Sequence, residues 1–423
     1  MTSRRAKRAA LGLAAVAVLG VGCWLIYDHL AMRRHLSAAE DALKKNRYSD
    51  ALASYEDALA HRPDSADLHL LAGRTARRAG LVDEARGHFD RCRELQGGVS
   101  EELQLEQYML RAQTGELDEV YPALAPYLAE DGDYTPLILE ALTRTYIETY
   151  QLGRAWDALS RWQKLQPDNP EMLFRLGLWH SLRSDDDEAI SLYTKVIEID
   201  PRRTDARLAL ATLLRTELRS SDAAEQYRAV LGDEPDNPHA LLGLAQCAAD
   251  TGQTAEAREL LERLPPESRA KAAAQRTQGL VEMQSQNHAE AADHFRRALD
   301  EEPWHKDACY NLMRCLKILG RDGEAERWKQ KLREIESDQK RLIFIIGEGL
   351  TESPDDPALP YELGDIYLRF GLPRRGVRWL HQALEIDPSY RPAHERLRDH
   401  FDGLGAEGKE RADFHREALN GLR

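Results

Sequence analysis

The chain has 423 residues, 31% of them charged and 42% hydrophobic, which is ample for a large buried core. A net charge of −14 argues against general binding to a phosphate backbone. None of the five cysteines forms a CxxC, which excludes a zinc ribbon, a haem attachment motif, a thioredoxin-like site and a disulfide framework. No N-x-[ST] acceptor occurs, and arginine outnumbers lysine 46 to 12, a skew that fits a GC-rich bacterial genome.

The first element is membrane-directed. A basic segment, 1–8, carries Arg4, Arg5, Lys7 and Arg8 ahead of an uncharged apolar run, 9–27. As helix that run is about 28 Å long, close to a hydrocarbon core, and Trp24 and Tyr27 stand at its far end where interfacial aromatics belong. We read it as a transmembrane signal-anchor. Two alternatives stay open: a cleaved signal peptide, against which stands the lack of an A-x-A site, and a lipoprotein signal acylated at Cys23. The four basic residues favour a cytoplasmic N-terminus and an exported body, although Arg33 and Arg34 follow on the other side.

From residue 32 onward the chain keeps a ruler. Ala51 and Ala85 are 34 apart, and Ala155, Ala189, Ala223, Ala257, Ala291 and Ala325 continue at 34, with Val120 bridging the two groups. A fixed period in this range marks stacked supersecondary units. Each unit reads as two helices. A small residue marks the first helix (Ala39, Gly73, Gly177, Ala211, Ala245, Gly279, Gly364). A large one follows the ruler alanine (Tyr55, Phe89, Leu159, Tyr193, Tyr227, Leu261, Phe295) and is expected to plug the space between neighbouring units. Gly80, Gly115, Gly252, Gly320 and Gly371 fall where the first helix must close in a left-handed residue. Pro63, Pro167, Pro201, Pro235, Pro303 and Pro388 end second helices. Asn169-Pro170 and Asn237-Pro238 supply a cap and a first helical proline.

Two disturbances interrupt the pattern. In the third unit, about 101–134, Tyr108 occupies the small position and Pro122 and Pro126 are expected to interrupt the second helix. Later the ruler jumps 51 residues from Ala325 to Gly376. The stretch Glu324–Ile346 lacks Gly and Pro and reads as one long helix, or two capped at Ser337-Asp338. The organisation expected is thus a main array over 32–335 of about nine units, a helical insertion over 336–356, and a C-terminal unit with capping helices over 357–423.

This small–large–proline pattern resembles the tetratricopeptide repeat family. The resemblance implies an all-α, right-handed solenoid of helix-turn-helix units behind the N-terminal transmembrane helix. It also implies binding and scaffolding of proteins or peptides rather than chemistry. Two known groove chemistries of the family are missing. The two-carboxylate clamp positions hold Leu36/Glu40, Leu70/Arg74 and Phe174/Leu178. The asparagine ladder of O-linked N-acetylglucosamine transferases is matched only at Asn311.

No catalytic or metal set emerges, and no cofactor or small-molecule substrate is expected. His394-Glu395…His400 places its histidines six apart, whereas a zinc box needs i and i+4. Acidic clusters such as Asp185–Glu188 suit first helical turns. The candidate partner site is basic. Arg74, Arg77 and Arg78 lie opposite the stripe of Ala72, Gly73 and Ala76, with Lys44 expected beside them from the preceding unit. Arg314 and Lys317 form a second, smaller spot. Either could grip an acidic peptide. The function expected is a non-catalytic, membrane-anchored scaffold with its repeats in the bacterial periplasm. The alternatives are a cytosol-facing receptor or assembly factor of opposite topology, and an enzyme subunit that uses the array for docking.

Overall fold

The computed structural model describes residues 27–422 apart from 46, 130 and 150. The expected span, 9–27, lies outside these residues except for Tyr27. Among the described residues no helix is long and apolar enough to cross a membrane.

The described residues contain helices and no strand. The chain divides into two compact units between Arg219 and Ser220, a boundary the repeat pattern does not announce. The first unit opens with a helix over 27–44, followed by Tyr48–His61. The pairs Ala66–Ala79 with Val82–Gln96, Thr135–Glu148 with Leu152–Leu165, and Pro170–Leu182 with Asp186–Ile199 follow. The second unit contains Pro238–Asp250 with Thr254–Arg263, Ala272–Gln284 with His288–Glu301, and Lys306–Ile318 against the long helix Asp322–Phe344. It ends in Ala358–Arg369 with Pro373–Ile386, and Arg391–Gly403 with Lys409–Gly421.

Sterics explain the ruler. All eight alanines and Val120 are at most 1% exposed. Where the small residue is glycine, the large residue four positions after the ruler position lies directly on it within the same repeat. A Cβ on Gly73 would stand 2.6 Å from the Phe89 ring, one on Gly177 2.7 Å from Tyr193, and one on Gly279 2.8 Å from Phe295. Real Cβ atoms do not approach so closely, so glycine is what lets ring and helix meet. Tyr227 lies on Gly243 of the following first helix, the contact between neighbouring units expected from sequence.

The turns and caps follow the same logic. Gly80, Gly115, Gly252, Gly320 and Gly371 all have positive φ. On the same 34-residue column as Gly252 and Gly320, Ser184, Leu218 and Gln286 also adopt positive φ, between 59° and 65°, although none is glycine. The Asn169 side chain accepts from the amides of Glu171 (2.9 Å) and Met172 (3.2 Å), and Asn237 caps Pro238–Asp250 the same way.

The third unit is irregular in a different way from that expected. Pro122 and Pro126 do not interrupt the second helix, which runs Leu117–Ala129 through both. Burial of Leu117, Val120, Leu124 and Leu128 outweighs the backbone bonds the prolines cannot make. The break comes earlier, in a widened turn over Ala112–Glu116 around Gly115 at φ 105°. In the second unit Asp322–Phe344 is one uninterrupted helix of 23 residues, so Ser337-Asp338 does not cap a new one.

Candidate functional site

Arginines of the first unit meet carboxylates on the face where successive first helices adjoin. Arg74 and Arg77 each donate an Nε–H to Glu106, at 2.5 and 2.7 Å. Arg78 forms a two-pronged pair with Glu140, at 2.8 and 2.7 Å, and also donates to the Tyr48 hydroxyl at 2.8 Å. Its guanidinium lies 4.4 Å from the Tyr48 ring centroid. Glu171 takes Arg175 at 2.7 Å on one oxygen and Arg203 on the other. Arg203 also holds Asp205. Arg47, just before the second helix of the array, grips Asp200 with both Nε (3.0 Å) and Nη2.

These groups are buried together. Arg77 has a fully covered side chain, and Glu106, Glu171 and Asp200 are covered almost as well. Burial alone would raise the Glu106 carboxyl, but Arg77 and Arg74 outweigh it and hold the group below the usual carboxylate range. Burial likewise opposes ionisation of Glu171, yet Arg175 and Arg203 bring it down to about 2. Asp200 is lowered by Arg47 and the Arg202 amide against the same penalty. Burial, and then Glu140, push the Tyr48 phenol well up.

The first cluster expected from sequence is therefore committed internally. The residues pointing away from the Ala72–Ala76 stripe are largely covered there, because Glu106, Glu140 and Tyr48 occupy that face. Lys44 is not drawn in: it pairs with Asp41 of its own helix at 3.3 Å and is exposed. The group reaching the cluster from the preceding repeat is Tyr48. One signal for this arrangement was present in the sequence. Glu106 and Glu140 are 34 apart, a recurring carboxylate in a column that is otherwise packed.

The second spot is open. On Lys306–Ile318 the side chains of Tyr310, Arg314, Lys317 and Ile318 are all exposed, spaced as one face of the helix. The Arg314 guanidinium lies 5.7 Å from the Tyr310 ring centroid, and neither Arg314 nor Lys317 has a carboxylate within ion-pair distance among the described residues. Their helix is anchored from behind by Ala308, Cys309, Leu312, Cys315 and Leu316, all essentially inaccessible. The arrangement can attract an anionic group and lay apolar surface beside it. Among the described residues no cluster of three or more His, Cys, Asp or Glu side chains could hold a metal ion.

Family models described as tetratricopeptide repeat match residues 36–98, 173–207, 219–280 and 282–342, together more than half of the chain. The chain belongs to the tetratricopeptide repeat family. It is 34% identical over 131 residues to cellulose synthase 1 operon protein C of Komagataeibacter xylinus, which is 30% of this chain and 10% of that protein. It is 29% identical over 130 residues to type IV pilus assembly protein PilF of Pseudomonas aeruginosa, 30% of this chain and 50% of that one. The chain thus spans about a tenth of the cellulose-operon relatives and half of the pilus relative. The crystal structure of PilW, described as a widely conserved type IV pilus biogenesis factor, superposes with a TM-score of 0.43 at 18% identity, covering 48% of this chain and 94% of that one.

Proposed function

We propose that this tetratricopeptide repeat protein is a non-catalytic scaffold of the bacterial envelope, held to the membrane by residues 9–27. It captures an acidic protein segment on the exposed face of Lys306–Ile318. The observation that carries this reading is the contrast between the two basic spots. The first unit pairs Arg74, Arg77 and Arg78 with its own Glu106 and Glu140, whereas Arg314 and Lys317 stand exposed and without an acid beside Tyr310. In an acidic chain, open cations next to an aromatic ring select for negative charge and add contact area. The names of the cellulose-operon and pilus-assembly relatives support an envelope setting.

Pull-down from native membranes tests the site. Arg314→Glu with Lys317→Glu should abolish capture of the partner while leaving the melting profile unchanged. Undiminished capture by a folded double variant would overturn it. Protease accessibility in intact spheroplasts decides the topology, with digestion of the repeats expected for a periplasmic body and protection for the opposite orientation.

A further inference from the structure

Two exposed helix faces of the second unit carry opposite charge in the same register. On Lys306–Ile318, Tyr310, Arg314 and Lys317 stand at i, i+4 and i+7. On Lys409–Gly421, Glu410, Phe414 and Glu417 repeat that spacing, so they too share one face. Ala412, His415 and Leu419 bury the opposite side of this helix. Phe414 is 63% exposed, an open aromatic ring with acids one turn before and after it. Asp413 is held by Arg416, but Glu410 and Glu417 are exposed and have no cation within ion-pair distance among the described residues. With Ala406 and Lys409 these groups line a shallow hollow of about 550 Å³.

The two faces complement each other position by position. Laid antiparallel, Lys317 meets Glu410, Arg314 meets the Phe414 ring, and the Tyr310 hydroxyl meets Glu417. Each contact is favourable: an ion pair, a cation over an aromatic face, and a phenol donating to a carboxylate. A parallel arrangement would set Asp307, one turn before Tyr310, against Glu407, whereas the antiparallel one carries it past Glu417 toward Asn420. We infer that the two faces bind each other between copies of this chain, Lys306–Ile318 of one protomer receiving Lys409–Gly421 of another. This rests on the reading above that Lys306–Ile318 takes an acidic segment, and names that segment. The net charge of −14 opposes association only weakly, because salt screens it beyond about 8 Å at physiological ionic strength while the paired groups touch. Each copy gives one face and receives the other, so the contact is head-to-tail and leaves a free face of each kind for a further copy.

Sedimentation of the full chain in detergent micelles over a dilution series tests it. The chain should assemble beyond a single protomer as concentration rises. Arg314→Glu/Lys317→Glu and Glu410→Lys/Glu417→Lys should each stay protomeric, since in either variant both faces then carry like charge. An equimolar mixture of the two should assemble again, because each reversed face finds its complement on the other variant. Phe414→Ala should weaken assembly by about tenfold or more. A chain that stays protomeric at every concentration overturns the proposal, as does a folded double variant that assembles like the wild type or a mixture that stays dissociated. If a double variant lowers the melting profile, Phe414→Ala, at an exposed position, decides in its place. Capture of a different protein through Arg314 and Lys317 by a chain that stays protomeric would overturn this inference and leave the reading above standing. Assembly that follows the charge swap while partner capture survives Arg314→Glu/Lys317→Glu would do the reverse.

Discussion

Arg47 and Asp200 are joined by a two-pronged ion pair across 153 residues of chain, tying the start of the first unit to its fifth repeat. Asp200 is almost fully covered and Arg47 is largely so. A repeat array is ordinarily held by nearest neighbours, so a pair this distant in sequence adds a constraint that stacking alone does not provide. Asp200→Asn should lower the stability of the first unit by roughly 1–3 kcal/mol, the scale of a buried donor left poorly paired. Urea denaturation would show this as a shift of midpoint. Hydrogen exchange should locate faster opening in 27–61.

The Glu106 cluster predicts an asymmetry. Glu106→Gln leaves two arginines facing a neutral amide in the interior and should cost roughly 3–5 kcal/mol. Arg77→Met keeps the apolar stem and leaves Glu106 paired with Arg74. Two nitrogens of Arg77, Nη1 and Nη2, have no hydrogen-bond partner, so this change also removes an uncompensated burial. It should cost at least 1 kcal/mol less than Glu106→Gln, measured by the same denaturation. Charge reversal at Arg74 and Arg77 should unfold the first unit, not selectively remove a partner.

Acid should act in two stages. His394 hydrogen-bonds the Pro388 carbonyl through Nε2 (3.0 Å), so its Nδ1 accepts from His415 Nδ1–H at 2.9 Å. His69 repeats the arrangement with the Pro63 carbonyl and His88. Burial, then His394 and His381, bring His415 down to about 4, and burial, then His69, lowers His88. A folded value below the unfolded one, about 6.5, means stability is complete above that pH and is lost as pH falls toward 4. The groups facing the C-terminal pair include His381, Arg411 and Glu385. Glu106, Glu171 and Asp200 are also depressed, so their contribution is lost lower, from about pH 4.5 toward 2. Hydrogen exchange at pH 5 should therefore show loosening in 391–421 and around the His69–His88 contact, with the carboxylate pairs still formed. His415→Leu should reduce the pH dependence in 391–421, leaving the smaller part due to His400 and His381.

Gln286 adopts φ 65° in a column where two repeats place glycine. A side chain in this conformation costs about 1 kcal/mol or more, partly offset by the freedom glycine has when unfolded. Gln286→Gly should raise the stability of the second unit by roughly 0.5 kcal/mol, read as an upward shift in melting temperature. A downward shift would show that the Gln286 side chain contributes contacts outweighing its strain.

The ruler was legible because alanine, glycine and ring positions report steric contacts that recur with every repeat, as Gly73–Phe89 and Gly177–Tyr193 show. The Arg74–Arg78 face was not, because helical periodicity tells which way a side chain points but not what stands opposite. Arg78 meets Glu140 62 residues away, and Arg47 meets Asp200 at more than twice that separation. The prolines marked the third unit as irregular, but the break comes at Gly115 and not within Leu117–Ala129. Arg314 and Lys317 were readable as cations. Their lack of nearby carboxylates was not.

Lysine-directed crosslinking in native membranes, followed by mass spectrometry, tests the central claim most directly. Each basic spot expected from sequence includes an exposed lysine, Lys317 on Lys306–Ile318 and Lys44, which pairs with Asp41 away from the first cluster. Partner crosslinks should concentrate at Lys317 and fall away with Arg314→Glu. Crosslinks confined to Lys44 and unaffected by that substitution would contradict the account.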